Sequence, residues 1–134
     1  KNPVNLRPET MGKSAMLGSM EDTLEMSKAI KGVLPCIDFA HLHARPGDGT
    51  INTVKEWSGI LEAYQKALGK DALKHLHIHL SGIEYGPKGE KNHYLFEVLK
   101  DFGCAGRILG ESPIMETDSL NMKKAWMKIS GEKE

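Results

Sequence analysis

One pattern recurs along this chain of 134 residues: a short apolar run, a polar loop that carries an acid or a histidine, and then a helical pattern. The apolar runs fall at residues 4–8, 32–40, 73–80 and 105–109. Strands that alternate with helices predict a parallel sheet with right-handed crossover connections. A complete (β/α)8 barrel has about 250 residues. The repeat therefore predicts an α/β fold of about four βα units, either a small open domain or half of such a barrel.

Each loop is followed by a predicted helix with one apolar face. Ser19 followed by Asp22 is typical of a capped helix start. The last helix is expected to be capped by Thr117 or Asp118. The first three apolar faces consist, in chain order, of Met20, Leu24, Ser27 and Ile30; of Val54, Trp57, Leu61, Tyr64 and Leu68; and of Leu95, Val98, Leu99 and Phe102. The last helix is predicted to run through Leu120, Ala125, Trp126 and Ile129.

Composition excludes several classes of protein. The 18 basic and 18 acidic residues leave no formal net charge, which excludes a basic DNA-coating protein. No apolar run approaches the ~18 residues that a bilayer requires, so we expect no membrane contact. Cys36 and Cys104 each lie in a short apolar stretch, which favours reduced core thiols. The first residues form no signal sequence and include no initiator methionine, so we expect a cytoplasmic chain, cut from a longer one.

Ionisable residues cluster where the predicted strands end. In chain order these positions hold Glu9, then Asp38 and His41, then His79, and finally Glu111. Loops at the carboxyl ends of parallel strands converge on one face, which is where α/β folds build their sites. Structural roles do not require every strand of a repeat to end in such a residue. The sequence therefore predicts that these side chains share one rim.

Three histidines alternate along the third run. His75, His77 and His79 are expected to face the same side of the strand, because successive strand side chains point to opposite faces. His79 lies nearest the carboxyl end and is the preferred ligand. His77 is the second choice, and His75 is expected to be a hydrogen-bonded interior residue.

Carboxylates mixed with imidazoles suit zinc, manganese or iron, and such sets commonly form hydrolytic metal sites. No cysteine lies at the rim, which argues against a structural zinc. Single residues have simpler explanations. Glu9 could be a loop salt-bridge partner, Asp38 could cap the loop that follows it, His93 could be a solvated or capping residue, and Glu116 could be first-turn helix charge. Convergence of several such residues favours the metal site.

Four short motifs carry a resemblance to a known family. They are residues 8–12 (PETMG), 36–41 (CIDFAH), 79–82 (HLSG) and 108–113 (ILGESP). In this order they resemble the last four strand-end motifs of the endonuclease IV family, especially its archaeal-type relatives. These are zinc-dependent apurinic/apyrimidinic endonucleases among the xylose-isomerase-like TIM barrels. The resemblance implies that residues 1–134 form the carboxyl-terminal half of a TIM barrel.

The resemblance also implies a ligand set for up to three zinc ions, with manganese as a possible substitute. Glu9 would bridge the first and second zinc, and the second would also take Asp38, His79 and Glu111. The first zinc would need two histidines from the amino-terminal half of the barrel.

The third zinc would take His41 and an Asp-x-His pair from the loop after the seventh strand. That loop here reads GEKNH at residues 89–93. Glu90 and His93 are therefore carried over as ligands. The loop departs from the family pattern, because it has glutamate for aspartate and one extra residue.

The implied reaction is hydrolysis of the DNA phosphodiester 5′ to an abasic site, which leaves a 3′-hydroxyl. The metals would activate water, and Glu9, the catalytic candidate, would orient or deprotonate that water. Lys13, Arg45 and Lys88 lie in the rim loops and are candidates for contact with the DNA backbone.

Two alternatives remain open at this stage. One is a metal-dependent sugar isomerase or epimerase of the same barrel class. The other is a catalytically silent metal-binding half-barrel that pairs with a missing amino-terminal half or with a second copy of itself. As half of a barrel, the isolated chain is expected to be inactive.

Overall fold

The computed structural model describes residues 4–81 and 90–132, apart from the side chains of residues 90–93. The described chain alternates helices with parallel strands. The helices are α1 (Met20–Ala29), α2 (Phe39–Ala44), α3 (Val54–Leu68), α4 (Glu90–Asp101) and α5 (Met115–Ser130). A 3₁₀ helix covers Lys70–His75, and the strands are β1 (Cys36–Asp38), β2 (Leu76–Ser81) and β3 (Gly106–Glu111).

Within the described residues the strands form one sheet in the order β1-β2-β3, and both pairings are parallel. The sheet is not closed, because β3 lies at its edge. The register places Asp38 beside His79 and Ser81 beside Glu111. This parallel α/β architecture confirms the predicted fold class and is compatible with half of a TIM barrel.

The first apolar run joins β1 through isolated bridges rather than as a full strand. Parallel bridges pair Leu6 with Val33 and Glu9 with Cys36. Pro8 lies between the bridged residues and has no N–H to donate, so the ladder is interrupted there. Its carbonyl still accepts from the Cys36 amide at 2.9 Å. The run therefore brings Glu9 alongside β1, as the four-unit pattern predicts.

The sheet has one face in the hydrophobic core. Ile37, Leu76, Ile78 and Leu80 are at most 4% exposed and pack with the apolar faces of the helices. Leu61 of α3 is fully buried in the same core. Side chains alternate along each strand, so the intervening residues must lie on the opposite face. That opposite face carries the ionisable residues.

The first and third predicted helices are confirmed. Ser19 and Asp22 form a capping box at the start of α1, in which each side chain accepts from the other residue's backbone amide. The predicted apolar face of the third helix is also found, since Leu95, Val98 and Leu99 of α4 are buried. Ile30 was expected on the apolar face of α1 but is exposed, because the helix ends one residue earlier.

The last helix begins earlier than predicted. Ile114 occupies the N-cap position of α5 and offers no side-chain cap, so the expected caps Thr117 and Asp118 are wrong. The helix does run through Leu120, as predicted, and that side chain is 58% exposed. Met122 is buried, and Ala125, Trp126 and Ile129, which follow it at helical spacing on the same face, pack against the core.

The strand in the third run is shorter than the run itself. Gly69 adopts φ 89°, and the chain then forms the 3₁₀ helix before β2 starts at Leu76. His75 lies in this 3₁₀ helix and is exposed, so the interior role expected for it is wrong. Alternation therefore holds only for His77 and His79.

In the part of the chain that the structure describes, no helix combines the length and apolar character needed to cross a bilayer.

Candidate metal centre

A group of four ionisable side chains meets on the open face of the sheet. The group consists of Glu9, Asp38, His79 and Glu111, and one potential ligand atom from each lies within 4.8 Å of all the others. We call this group the carboxylate group. Its members come from four separate segments of the chain, so tertiary structure alone brings them together. This is the convergence that the strand-end positions predict.

Each member is held by the end of a strand or by a bridge to one. Asp38 is the last residue of β1 and also the N-cap of α2, where its side chain accepts from the His41 amide. Glu111 is the last residue of β3. Glu9 is fixed by its bridge to Cys36, and the Thr10 amide donates to the Cys36 carbonyl at 3.0 Å. The backbone of three neighbouring strands and a bridged segment thus fixes the spacing.

His79 lies between two of the carboxylates. Its Nδ1 is 3.0 Å from Glu9 Oε1 and 3.4 Å from Glu111 Oε1. Carboxylates at such spacing repel one another unless positive charge lies between them. A proton on the imidazole can supply that charge, and so can a divalent cation.

Asp38 provides a test of whether a cation fits. Its side chain is fully buried, yet Oδ2 has no hydrogen-bond partner among the described residues. A buried carboxylate oxygen without a partner is costly. Asp38 belongs to a group of closely spaced carboxylate and imidazole donors, and hard or borderline dications prefer such donors. The donor set therefore fits a divalent metal ion.

His41 stands beside the carboxylate group. Its Nδ1 lies 3.5 Å from Glu9 Oε1 and 3.6 Å from Asp38 Oδ2. The same nitrogen is 2.9 Å from the Thr10 carbonyl oxygen. A carbonyl can only accept, so Nδ1 is the donor and Nε2 keeps its lone pair. This arrangement, in which one ring nitrogen is fixed by the backbone, is common for histidines that bind metals.

Thr10 is a residue that sequence reasoning missed. It is fully buried, and its hydroxyl accepts from the Asp38 amide at 2.9 Å and donates to the Asp38 carbonyl at 3.2 Å. The Thr10 carbonyl also accepts from His41 Nδ1. Thr10, which follows Glu9 in the chain, is therefore hydrogen-bonded to both Asp38 and His41. The only sequence signal was its position next to Glu9, at the end of an apolar run.

Arg45 has a different role from the one expected. Its guanidinium donates to the carbonyls of Met11, Lys13 and Met16 at 2.9–3.0 Å. These bonds hold the loop that follows Glu9 against the end of α2. The side chain is therefore committed to the loop, and the prediction that it contacts a DNA backbone is not supported. Lys13 in the same loop is exposed.

A second group lies one layer below, on the same face. Cys36, His77 and His79 each offer a ligand atom within 4.8 Å of the others. Burial, with the negative charge of Glu9 and Asp38, raises the pKa of the Cys36 thiol to about 12. Burial also lowers the pKa of His77, and His79 acts in the same direction. We call these residues the thiol group.

Some predicted site residues are not brought to the centre or lie outside the described structure. The side chains of Glu90 and His93 lie outside the described residues, although their backbone belongs to α4. Lys88 lies outside as well. Glu116 is exposed in the first turn of α5, where an acidic side chain favours the helix N-terminus.

Three known proteins are similar in sequence to most of this chain. The chain is 40% identical over 137 residues to an uncharacterized protein of Methanocaldococcus jannaschii. This alignment covers 94% of this chain and 50% of that protein. It is 30% identical over 139 residues to a probable endonuclease 4 of Oceanobacillus iheyensis, covering 90% of this chain and 44% of that protein. A probable endonuclease 4 of Lysinibacillus sphaericus is 34% identical over 128 residues, covering 86% and 41%.

The chain thus spans about half the length of the curated relatives that it matches. No protein-family model matches it, and no solved structure matches it. Two relatives carry the name endonuclease 4, so this chain is a distant relative of proteins of that name.

Proposed function

We propose that the carboxylate group binds zinc and that the protein hydrolyses phosphodiesters in DNA at abasic sites. The observation that carries this proposal is the convergence of Glu9, Asp38, His79 and Glu111 within 4.8 Å, with Asp38 Oδ2 buried and unpartnered among the described residues. The resemblance of the strand-end motifs to the endonuclease IV family supports zinc and abasic DNA. The similarity to two proteins named endonuclease 4 supports a nuclease.

Glu9, Asp38, His79 and Glu111 would hold one ion, and manganese could replace zinc there. His41, with a free Nε2, would contribute to a neighbouring ion. We propose Glu90 and His93 as its further ligands. Bound zinc would supply positive charge to a phosphate and lower the pKa of a water molecule.

Glu9 is the member suited to proton transfer. Its side chain is 32% exposed and lies between the His41 and His79 rings, so it can meet both solvent and the other members of the group. It can therefore orient a water molecule and accept its proton. Asp38 is fully buried, which suits it to a fixed role as ligand instead.

Completion of the barrel is part of the proposal. Within the described residues β3 leaves one edge of the sheet unpaired. We propose that further strands, from another segment or from a second copy, pair with that edge and add the missing ligands. The isolated half would then bind metal without cleaving DNA.

The test uses the full-length protein that contains this sequence. The substrate is a duplex with a single abasic site, and an intact duplex of the same sequence is the control. We expect cleavage 5′ to the abasic site with a 3′-hydroxyl product, loss of cleavage with a chelator, and recovery with zinc. Glu62→Ala, which changes an exposed residue of α3, is the matched control for Asp38→Asn.

Two results would overturn the proposal. One is cleavage that persists in a metal-free protein or in Asp38→Asn. The other is an absence of cleavage combined with turnover of keto-sugars, which would assign the same metal centre to an isomerase.

A further inference from the structure

The thiol group has donor chemistry that differs from that of the carboxylate group above it. The parallel register pairs Cys36 with His77 and, one layer higher, Asp38 with His79. Since strand side chains alternate, Cys36 and Asp38 share the open face of the sheet, and so do His77 and His79. The upper layer therefore offers oxygen and nitrogen donors, and the lower layer offers sulfur and nitrogen.

We propose that Cys36, His77 and His79 form a second binding site, for a thiophilic divalent cation, which shares His79 with the carboxylate group. Their donor atoms lie within 4.8 Å of one another. Donors bound to one tetrahedral zinc lie roughly 3.5 Å apart, given bond lengths of about 2.0–2.3 Å. Small side-chain rotations close that difference, and the strand backbone does not have to move.

Two further observations support this site. Cys36 is 2% exposed and His77 is half-buried, yet neither side chain makes a hydrogen bond to a residue that the structure describes. The His77 and His79 rings lie edge to face with centroids 5.4 Å apart, so both imidazoles border the same small space beside Cys36. Unpaired sulfur and nitrogen donors on a fixed backbone are what a soft or borderline ion selects.

Binding has a simple chemical balance. The Cys36 S–H bond breaks, a sulfur–metal bond forms, and the proton is released to water. The two imidazoles donate lone pairs and lose no proton. Three protein donors leave one position of a tetrahedral ion open to solvent or to another ligand. His79 belongs to both groups, so an ion held by the thiol group draws this imidazole away from the carboxylates.

This inference does not require nuclease activity, and its test uses no DNA. The purified metal-free protein is titrated with Co2+, and thiolate-to-cobalt charge-transfer absorption is recorded in the near ultraviolet. We expect the band to appear with one proton released per ion. Cys36→Ser should abolish it. Cys104→Ser should retain it, because Cys104 belongs to neither group found among the described residues.

Two more variants separate this site from the carboxylate group. Asp38→Asn removes a carboxylate ligand and should leave the band in place, whatever happens to DNA cleavage. His77→Gln should weaken cobalt binding at least about tenfold, because a ligand is lost, while the band still appears at saturating metal. Far-ultraviolet circular dichroism establishes that each variant is folded.

The proposal is overturned if the wild type shows no band. It is overturned equally if the band survives in folded Cys36→Ser, is lost in folded Cys104→Ser, or forms with unchanged affinity in folded His77→Gln.

Discussion

The two faces of the sheet are made from alternate residues of the same strands, yet they differ in almost every physical respect. On one face Ile37, Leu76 and Ile78 are buried against helices in a continuous apolar core. On the other, Asp38 and His79 belong to a group of closely spaced ionisable side chains. A shift of one residue in register would exchange the two sets. The core therefore fixes the positions of the ligands.

This comparison separates stability from chemistry. Apolar burial stabilises the fold in proportion to the area removed from water. The opposite face gains nothing comparable, because Asp38 Oδ2 is buried without a hydrogen bond among the described residues. A fold can tolerate a local loss of stability at a functional site when the rest of the structure is stable enough to offset it. Substitutions on the two faces should consequently have different readouts.

The largest effect is expected from the apolar face. Leu61→Ala removes a fully buried side chain from α3 and should lower the free energy of unfolding by about 2–5 kcal/mol, through lost burial and a residual cavity. Urea denaturation followed by circular dichroism measures this change. The matched control is Glu62→Ala, whose exposed side chain should change stability by no more than about 0.5 kcal/mol. A folded Leu61→Ala protein that has lost zinc affinity would show that metal binding is not independent of the apolar core.

The next effect is on the ligand face. Asp38→Asn keeps the N-cap of α2, because asparagine caps helices as well as aspartate does. The substitution removes one negative charge from the four-residue carboxylate group, so zinc should bind about 100-fold more weakly. Calorimetry measures this change in affinity. Denaturation of the metal-free protein should change little. Asp22→Asn alters the capping-box carboxylate of α1 and serves as the control. Equal zinc affinity in Asp38→Asn and the wild type would remove Asp38 from the site.

A smaller effect tests the link between the faces. Thr10→Val keeps the shape of the buried side chain and removes the hydroxyl that bonds to the amide and carbonyl of Asp38. We expect a loss of about 1–2 kcal/mol in stability, because the Asp38 amide loses its acceptor. Zinc affinity should fall about tenfold. Thr10→Ser retains the hydroxyl and should restore zinc binding. If Thr10→Val lowered stability with no change in affinity, Thr10 would be structural only.

The sequence predicted the faces better than the boundaries. Period-two alternation and the ionisable residues at the strand ends were enough to predict that Glu9, Asp38, His79 and Glu111 share one rim. The βα repeat implies parallel strands, whose carboxyl ends lie at the same edge of the sheet. Their role as metal ligands stays a prediction. Helix starts were less predictable. The start of α5 has no side-chain cap, so local residue chemistry gave no signal for it.

Other features depend on tertiary contacts that no local pattern encodes. Arg45 looked like a phosphate-binding residue, but loop carbonyls far away in sequence engage its guanidinium. Thr10 and the thiol group emerge only when the β1 and β2 register is known. Alternation over 73–80 also failed at His75, because the chain has not yet become extended there.

The smallest effect concerns a carboxylate that belongs to neither face. Hydrogen bonds from the Thr53 side chain and from the Asn52 backbone lower the pKa of Glu56 to about 2, from an ordinary value near 4.5. The folded-state pKa is depressed, so this carboxylate stabilises the protein above pH 4.5, and the contribution is lost as the pH falls towards 2. Glu56→Gln should therefore be less stable than the wild type at neutral pH.

The difference should shrink through that window and vanish below it, because glutamine resembles the protonated acid and can still complete the capping box with Thr53. Thermal unfolding over a pH series measures the difference. Zinc affinity at neutral pH should be the same in Glu56→Gln as in the wild type, in contrast to Asp38→Asn. A pH-independent stability difference would show that the Glu56 charge does not act through its caps. Weakened zinc binding would show instead that charge anywhere on the molecule governs the metal centre, and not the four converging side chains alone.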